Sequence, residues 1–146
     1  MNNNIYVCVG TPNTNFDSIG PRVGSKLKDL GYEVYGTMEN PIHGTNVRTI
    51  WDEKIKHLDK DRIIAIDAAL SVKPNSIGTA ILRKRGVRPR AAIDSSNSDI
   101  EIGRRSIVGI IGHDLNTIDR DIDADKLASK IVNIIEFIEK ENVCLG

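Results

Sequence analysis

The sequence predicts an α/β fold, a three-layer sandwich with a mainly parallel central sheet and helices on both faces. Three observations lead there. Nearly continuous apolar runs recur at residues 5–9, 62–70 and 104–112, the pattern of strands covered on both sides. Stretches with helical apolar spacing lie at 19–30, about 46–58 and about 123–140. The order β, α, β, α, β over the first half selects parallel pairing with right-handed crossovers, because adjacent parallel strands need a helix-length connection.

The first strand is Ile5 to Val9, leaving into the turn-rich stretch GTPNTNFDS. In the helix that follows, Ile19, Val23, Leu27 and Leu30 recur at helical spacing, Pro21 suits an early helical position and Gly31 suits the stop. Gly20 and Gly24, four apart, would let this helix approach a sheet closely. YEVYG (32–36) reads as the second strand, and the irregular segment TMENPIHG leads into a helix carrying Val47, Ile50, Trp51, Ile55 and Leu58. RIIAIDAAL (62–70) is the third strand, with the carboxylate of Asp67 near its C-terminal end. SIGTAILRKRG (76–86) predicts a strand running into a basic turn, and RRSIVGIIG (104–112) a further buried strand. The last helix presents Leu127, Ile131, Ile134, Ile135 and Ile138 as one stripe, with Asp121 or Asp123 placed to cap it. The polar stretch DSSNSD (94–99) reads as a mobile loop.

A chain of 146 residues is the size of one domain. Lys+Arg and Asp+Glu are equal at 20 each, so no global field points to nucleic acid or to a membrane, and neither is an expected partner. The N-terminal MNNNIYVCVG has no basic flank and too short an apolar run for a signal or a membrane span, which leads to a cytoplasmic expectation. The two cysteines, Cys8 and Cys144, supply neither a disulfide framework nor a paired-cysteine metal site.

Ligands of open α/β sheets bind beyond the carboxyl ends of the strands, and both Asp17 and Asp67 are predicted to lie there. A carboxylate inside a run as apolar as IIAIDAAL is costly to bury unless something pairs with it or uses it. Asp17, just before a helix, is also placed as an ordinary cap. Two neighbouring carboxylates can share a proton and activate water, or can ligate a divalent metal; the residues alone leave both chemistries open. The run GPRVGSK (20–26) has three rather than four residues between its glycines and no Ser or Thr after Lys26, so it is no phosphate-binding loop. DRDIDADK (119–126) lacks the glycine and the final glutamate of a calcium loop. No G-x-S-x-G elbow occurs, and Cys8 sits inside a strand. His57 falls near a helix end, whereas His43 and His113 follow turns or strands from which a side chain can reach the crevice. The basic run RKRGVRPR (83–90), without interleaved aromatics, reads as a solvated hairpin tip, with partner docking as the alternative.

Three motifs in order, GTPNTNFDSIGPRVGSKL, VYGTMENPIHGTN and IIAIDAAL, together resemble the YyaC family of sporulation proteins, over about residues 5–112. Members of that family are similar in fold to the spore germination protease and the hydrogenase maturation endopeptidases. The resemblance implies a phosphorylase/hydrolase-like, hydrogenase maturation protease-like fold, with one peptidase-like domain over 1–146. It implies Asp17 and Asp67 as catalytic groups, and His43 and Asn46 of PIHGTN as residues lining the substrate crevice. In the maturation proteases the two acidic positions are metal ligands and a histidine is the third; His113 is the candidate here. Thr11 stands where those enzymes usually carry Asn.

The resulting expectation is a sporulation or germination protease-like hydrolase of the cytoplasm, in the mother cell or forespore. It would cleave a peptide, with a spore protein as substrate, at a paired-aspartate site. No cofactor is expected on that reading. The alternatives are a noncatalytic sporulation binding protein retaining the fold, and a metal-dependent maturation-type endopeptidase using a divalent metal on Asp17, Asp67 and His113. Oligomerisation is left open.

Overall fold

The computed structural model describes residues 3–89 and 97–141. Cys144, Arg90 of the basic run and residues 94–96 of the expected polar loop lie outside the described residues. The strands are β1 (Ile5–Cys8), β2 (Val34–Tyr35), β3 (Ile63–Leu70), β4 (Ala80–Arg83) and β5 (Arg105–Gly112). They form one sheet in the order β2-β1-β3-β5-β4. The first three pairings are parallel, and β4 joins β5 antiparallel at the edge.

Side-chain alternation divides the core into two layers. Tyr6 and Cys8 of β1 with Ile64 and Ile66 of β3 point to one face, where α1 (Ile19–Asp29) brings Ile19, Val23 and Leu27, and α3 (Ala124–Glu141) brings Leu127, Ile131, Ile135 and Ile138. Ile5, Val7 and Val9 with Ile63 and Ala65 point to the other. There they meet Val47 of α2 (Val47–Ile50), Ile55 of the π-turn at Trp51–Ile55 that continues it, and Val87, Ile100 and Ile102 from irregular segments. The three-layer sandwich with a mainly parallel sheet is therefore the observed architecture.

The elements have local causes. Asp123 caps α3, its side chain accepting from the Lys126 N–H at 3.0 Å. Tyr6, fully buried, donates to Glu139 at 2.8 Å and ties β1 to the far end of α3. Gly31, with φ +91, stops α1 as expected.

Two expectations are corrected. The second strand is two residues rather than five, because Gly36 turns the chain away at φ +94 after only two pairings, Tyr6 with Val34 and Val7 with Tyr35. The helix expected over 46–58 holds α geometry only to Ile50; the wider turn that follows, closed by Lys56 N–H on Trp51 O at 2.9 Å, sets Ile55 in the core.

This topology fixes where a site can form. From β1 the chain crosses to β2 on one side, and from β2 it crosses back to β3 on the other. The carboxyl ends of β1 and β3 thus flank the point where the strand order reverses, which is where such sheets open a crevice.

Candidate functional site

Asp17 reaches the crevice through the loop after β1. That loop folds back on itself: Thr11 N–H donates to Asp17 O at 2.8 Å and Asp17 N–H to Thr14 O at 2.9 Å. Gly10 permits the closure, since a Cβ there would lie 2.2 Å from Asp17 O. The N-cap of α1 is Ser18, one residue later, so Asp17 is not the cap residue. Ser18 Oγ donates to Asn15 O at 2.7 Å and accepts from Arg22 Nε at 2.9 Å, which holds the short 3-10 turn Asn15–Asp17 against the start of α1.

Asp67 enters from the sheet. β1 ends its pairing with β3 at Cys8 opposite Ile66, so Asp67 is the first β3 residue beyond that pairing, while on its other side it pairs with Val108 of β5. One carboxylate oxygen accepts from the Ala68 N–H at 2.8 Å. Its negative charge reaches Cys8, whose thiol is pushed well above the usual range by burial first and by Asp67 second. Cys8 is therefore an inert core thiol.

Asp17 and Asp67 line the same two cavities. One is narrow, about 40 Å³, and is walled by Gly10, Thr11, Asp17, His43, Asp67 and Pro89 among others. The other opens to about 460 Å³; Asp17, Asp67 and Arg83 give it charge, while Phe16, Val87 and Leu115 give it an apolar wall. The pair predicted from sequence is thus brought to one place by two separate elements.

His43 joins the narrow cavity. Thr45 engages its Nδ1, through the hydroxyl at 2.8 Å and the N–H at 3.3 Å, so in the neutral ring the proton sits on Nε2. Asn46 does not line either of these cavities. It borders the neighbouring groove below β2 and braces the loop, accepting from His43 N–H at 2.8 Å and donating to Pro41 O at 2.8 Å. An Asn46→Ala variant should lose both contacts and about 1–3 kcal/mol of stability, read as a lower urea midpoint; an unchanged midpoint would show that the loop does not depend on this brace.

His113 is not brought to the pair. Its Nδ1 lies 2.6 Å from Ser71 O, and it lines neither cavity. Among the described residues no group of three His, Cys, Asp or Glu is gathered to hold a metal ion, and His113 does not join Asp17 and Asp67 as a third member. His57 is exposed, with Nε2 3.2 Å from Asp52 O.

The basic run keeps Lys84, Arg85 and Arg88 exposed, as expected of a solvated tip, but Arg83 is drawn inward. Arg83 belongs to β4 and lines the wide cavity, half-buried, with Nε donating to Ser106 Oγ at 3.2 Å. Arg88 lines it too, held by Glu101 at 3.1 Å. The sequence signal for Arg83 was the apolar approach Ala80-Ile81-Leu82, which continues the strand into the first basic residue. Among the described residues no helix is long and apolar enough to cross a membrane.

Residues 1–140 match the family described as "Protein of unknown function (DUF1256)". The chain is 32% identical over 110 residues to the "Uncharacterized protein YyaC" of Bacillus subtilis (strain 168), covering 73% of this chain and 52% of that protein. It spans about half the length of that curated relative. Among solved structures it is similar to the NiFe hydrogenase maturation protease HybD from Thermococcus kodakarensis, at TM-score 0.57 and 18% identity, over 94% of this chain and 99% of that one. It is also similar to the NiFe hydrogenase maturation protease HycI from Thermococcus kodakarensis KOD1, at TM-score 0.51 and 17% identity, over 93% and 91%. The expected family resemblance and hydrogenase maturation protease-like fold are borne out; at these identities the structural likeness speaks for fold alone.

Proposed function

Since the chain belongs to the DUF1256 family and has the fold of the hydrogenase maturation proteases, we propose that it is a peptidase-like hydrolase in which Asp17 and Asp67 activate water for peptide-bond cleavage. The observation that carries this reading is that Asp17, from a loop, and Asp67, from a strand, line the same pair of cavities at the strand-order reversal.

In the proposed reaction one carboxylate takes a proton from water as the oxygen adds to the scissile carbonyl. The other, protonated, gives its proton to the carbonyl oxygen; as the C–N bond then breaks, the first carboxyl passes the proton it took from water to the leaving amine and the second takes one back from the gem-diol hydroxyl, which restores the starting pair. Arg83 lines the same cavity as the pair, and the nearby Asp67 favours the charged guanidinium. His43, on the narrow side, and the apolar wall of the wide side would position the chain being cut. Asn46 acts on this site through His43.

By resemblance to the germination protease, the substrate is a spore protein and the compartment is the cytoplasm of the mother cell or forespore. The test is incubation of the purified protein with small acid-soluble spore proteins, with products read by mass spectrometry. New internal termini made by the wild type and absent with an Asp67→Asn variant are expected. Substrate left intact by the wild type, or cut equally well by the variant, would sink the proposal.

A further inference from the structure

We propose that Arg83 is the carboxylate-binding residue of the wide cavity, so that the site takes peptides bearing a carboxylate about three residues from the bond to be cut. This deepens the proposed function and rests on its placement of the peptide across Asp17 and Asp67. Arg83 lies on β4 opposite Ser106 of β5, which pairs with Ala65 of β3, and this row lies on the same sheet face as Asp67. Two strand spacings separate β3 from β4, about 10 Å, the span of about three extended residues.

The guanidinium is oriented from behind. Ser106, 1% exposed, donates its hydroxyl to Arg85 O at 2.8 Å and accepts from Arg83 Nε at 3.2 Å. That contact uses Nε only, and none of the ion pairs among the described residues involves Arg83. The cavity's other arginine, Arg88, is already occupied by Glu101 at 3.1 Å and by Ser98 O at 3.1 Å. Arg83 therefore presents the planar fork of its terminal nitrogens to a cavity with an apolar wall, the geometry that binds a carboxylate through two parallel hydrogen bonds. Burial and the neighbouring Arg85 both disfavour its charge, and Asp67 only partly offsets them, so an arriving anion would relieve a real cost. Phe16, Val87 and Leu115 beside it suit an apolar side chain between the carboxylate and the scissile bond.

The carboxylate can belong to an acidic side chain or to a chain terminus. The probes are dye-labelled octapeptides of Ala, Gly and Leu in three forms: one internal Glu with an amidated end, no Glu with a free C-terminus, and a Gln-containing amidated control. Fluorescence anisotropy gives the affinity of each for the wild type, Arg83→Gln and Arg83→Lys. At least one carboxylate form should bind the wild type about tenfold or more tighter than the control, and which form does so identifies the source. Arg83→Gln should erase that preference, and Arg83→Lys should retain only part of it. Equal affinity of the wild type for all three forms, including no binding of any, overturns the inference, as does an undiminished preference in Arg83→Gln. The wild-type comparison among peptides needs no variant to fold. Mass spectrometry of the same mixtures separates the two ideas: preference without fragments ends the hydrolase reading alone, and fragments without preference end the carboxylate site alone.

Discussion

An Asp17→Asn variant is expected to hydrolyse peptide about 10²–10⁴-fold more slowly than the wild type, the usual contribution of a positioned acid or base. Asp67→Asn should lose as much, and the double variant little more than either alone. Non-additivity is the informative part. If one carboxylate must be ionised while the other holds the proton, the pair acts as a unit, and removing either member disables it. Both replacements keep size and shape, and neither should unfold the protein. The Asp17 loop is closed by main-chain bonds to Thr11 and Thr14, and in Asp67→Asn the side-chain amide would still offer an oxygen to the Ala68 N–H. Initial rates on one spore-protein substrate, with thermal midpoints as a control for folding, decide it. Losses that multiply, so that the double variant falls by the product of the single factors, would mean two independent roles rather than one shared proton.

Much of this arrangement was legible in the sequence because its causes are local. The strands β1, β3 and β5 announce themselves as continuous apolar runs, since each is covered on both faces. Asp67 stands out for the same reason, a charge where the pattern demands oil. Gly20 and Gly24 correctly signalled a helix lying close against the sheet. What was hidden depended on partners distant in sequence. Nothing in IGHDLN shows that the β3–β5 pairing shifts register between Ala69 and Leu70; Ser71 N–H then bonds Gly112 O at 3.0 Å, and His113 turns to Ser71 instead of the crevice. The apolar approach to Arg83 signalled a strand end but not its place on the cavity wall, which follows from pairing with Ser106, twenty-three residues on. The π-turn at Trp51–Ile55 also left no trace, since an apolar spacing of eight from Val47 to Ile55 suits an unbroken helix equally well.

Gly24→Ala should be among the most destabilising small substitutions in the chain, costing about 3 kcal/mol or more and lowering the thermal midpoint by about 10 °C. Alanine is the better helix former, so on an exposed helix face this exchange would stabilise by up to about 1 kcal/mol. Here the added Cβ would fall 1.8 Å from Gly36 O, and main chain cannot step aside as a flexible side chain can. Gly36 is itself fixed, with φ +94 and the position of its own missing Cβ 1.9 Å from Cys8 O. Helix α1, the turn after β2 and the end of β1 therefore stack backbone on backbone. Gly31→Ala is the matched control: φ +91 carries strain of about 1–2 kcal/mol, but nothing lies within 4 Å to be struck. Melting curves followed by circular dichroism should rank wild type above Gly31→Ala above Gly24→Ala. A Gly24→Ala protein melting with the wild type would refute the close stacking. The same stacking ties the helix to the site, because the chain that leaves Gly36 runs on to Ile42, whose carbonyl receives Gly10 N–H at 2.9 Å, and then to His43. Pushing α1 away from Gly36 should therefore disturb both walls of the narrow cavity. On the proposed function, Gly24→Ala should cut peptide more slowly even at temperatures where it remains folded.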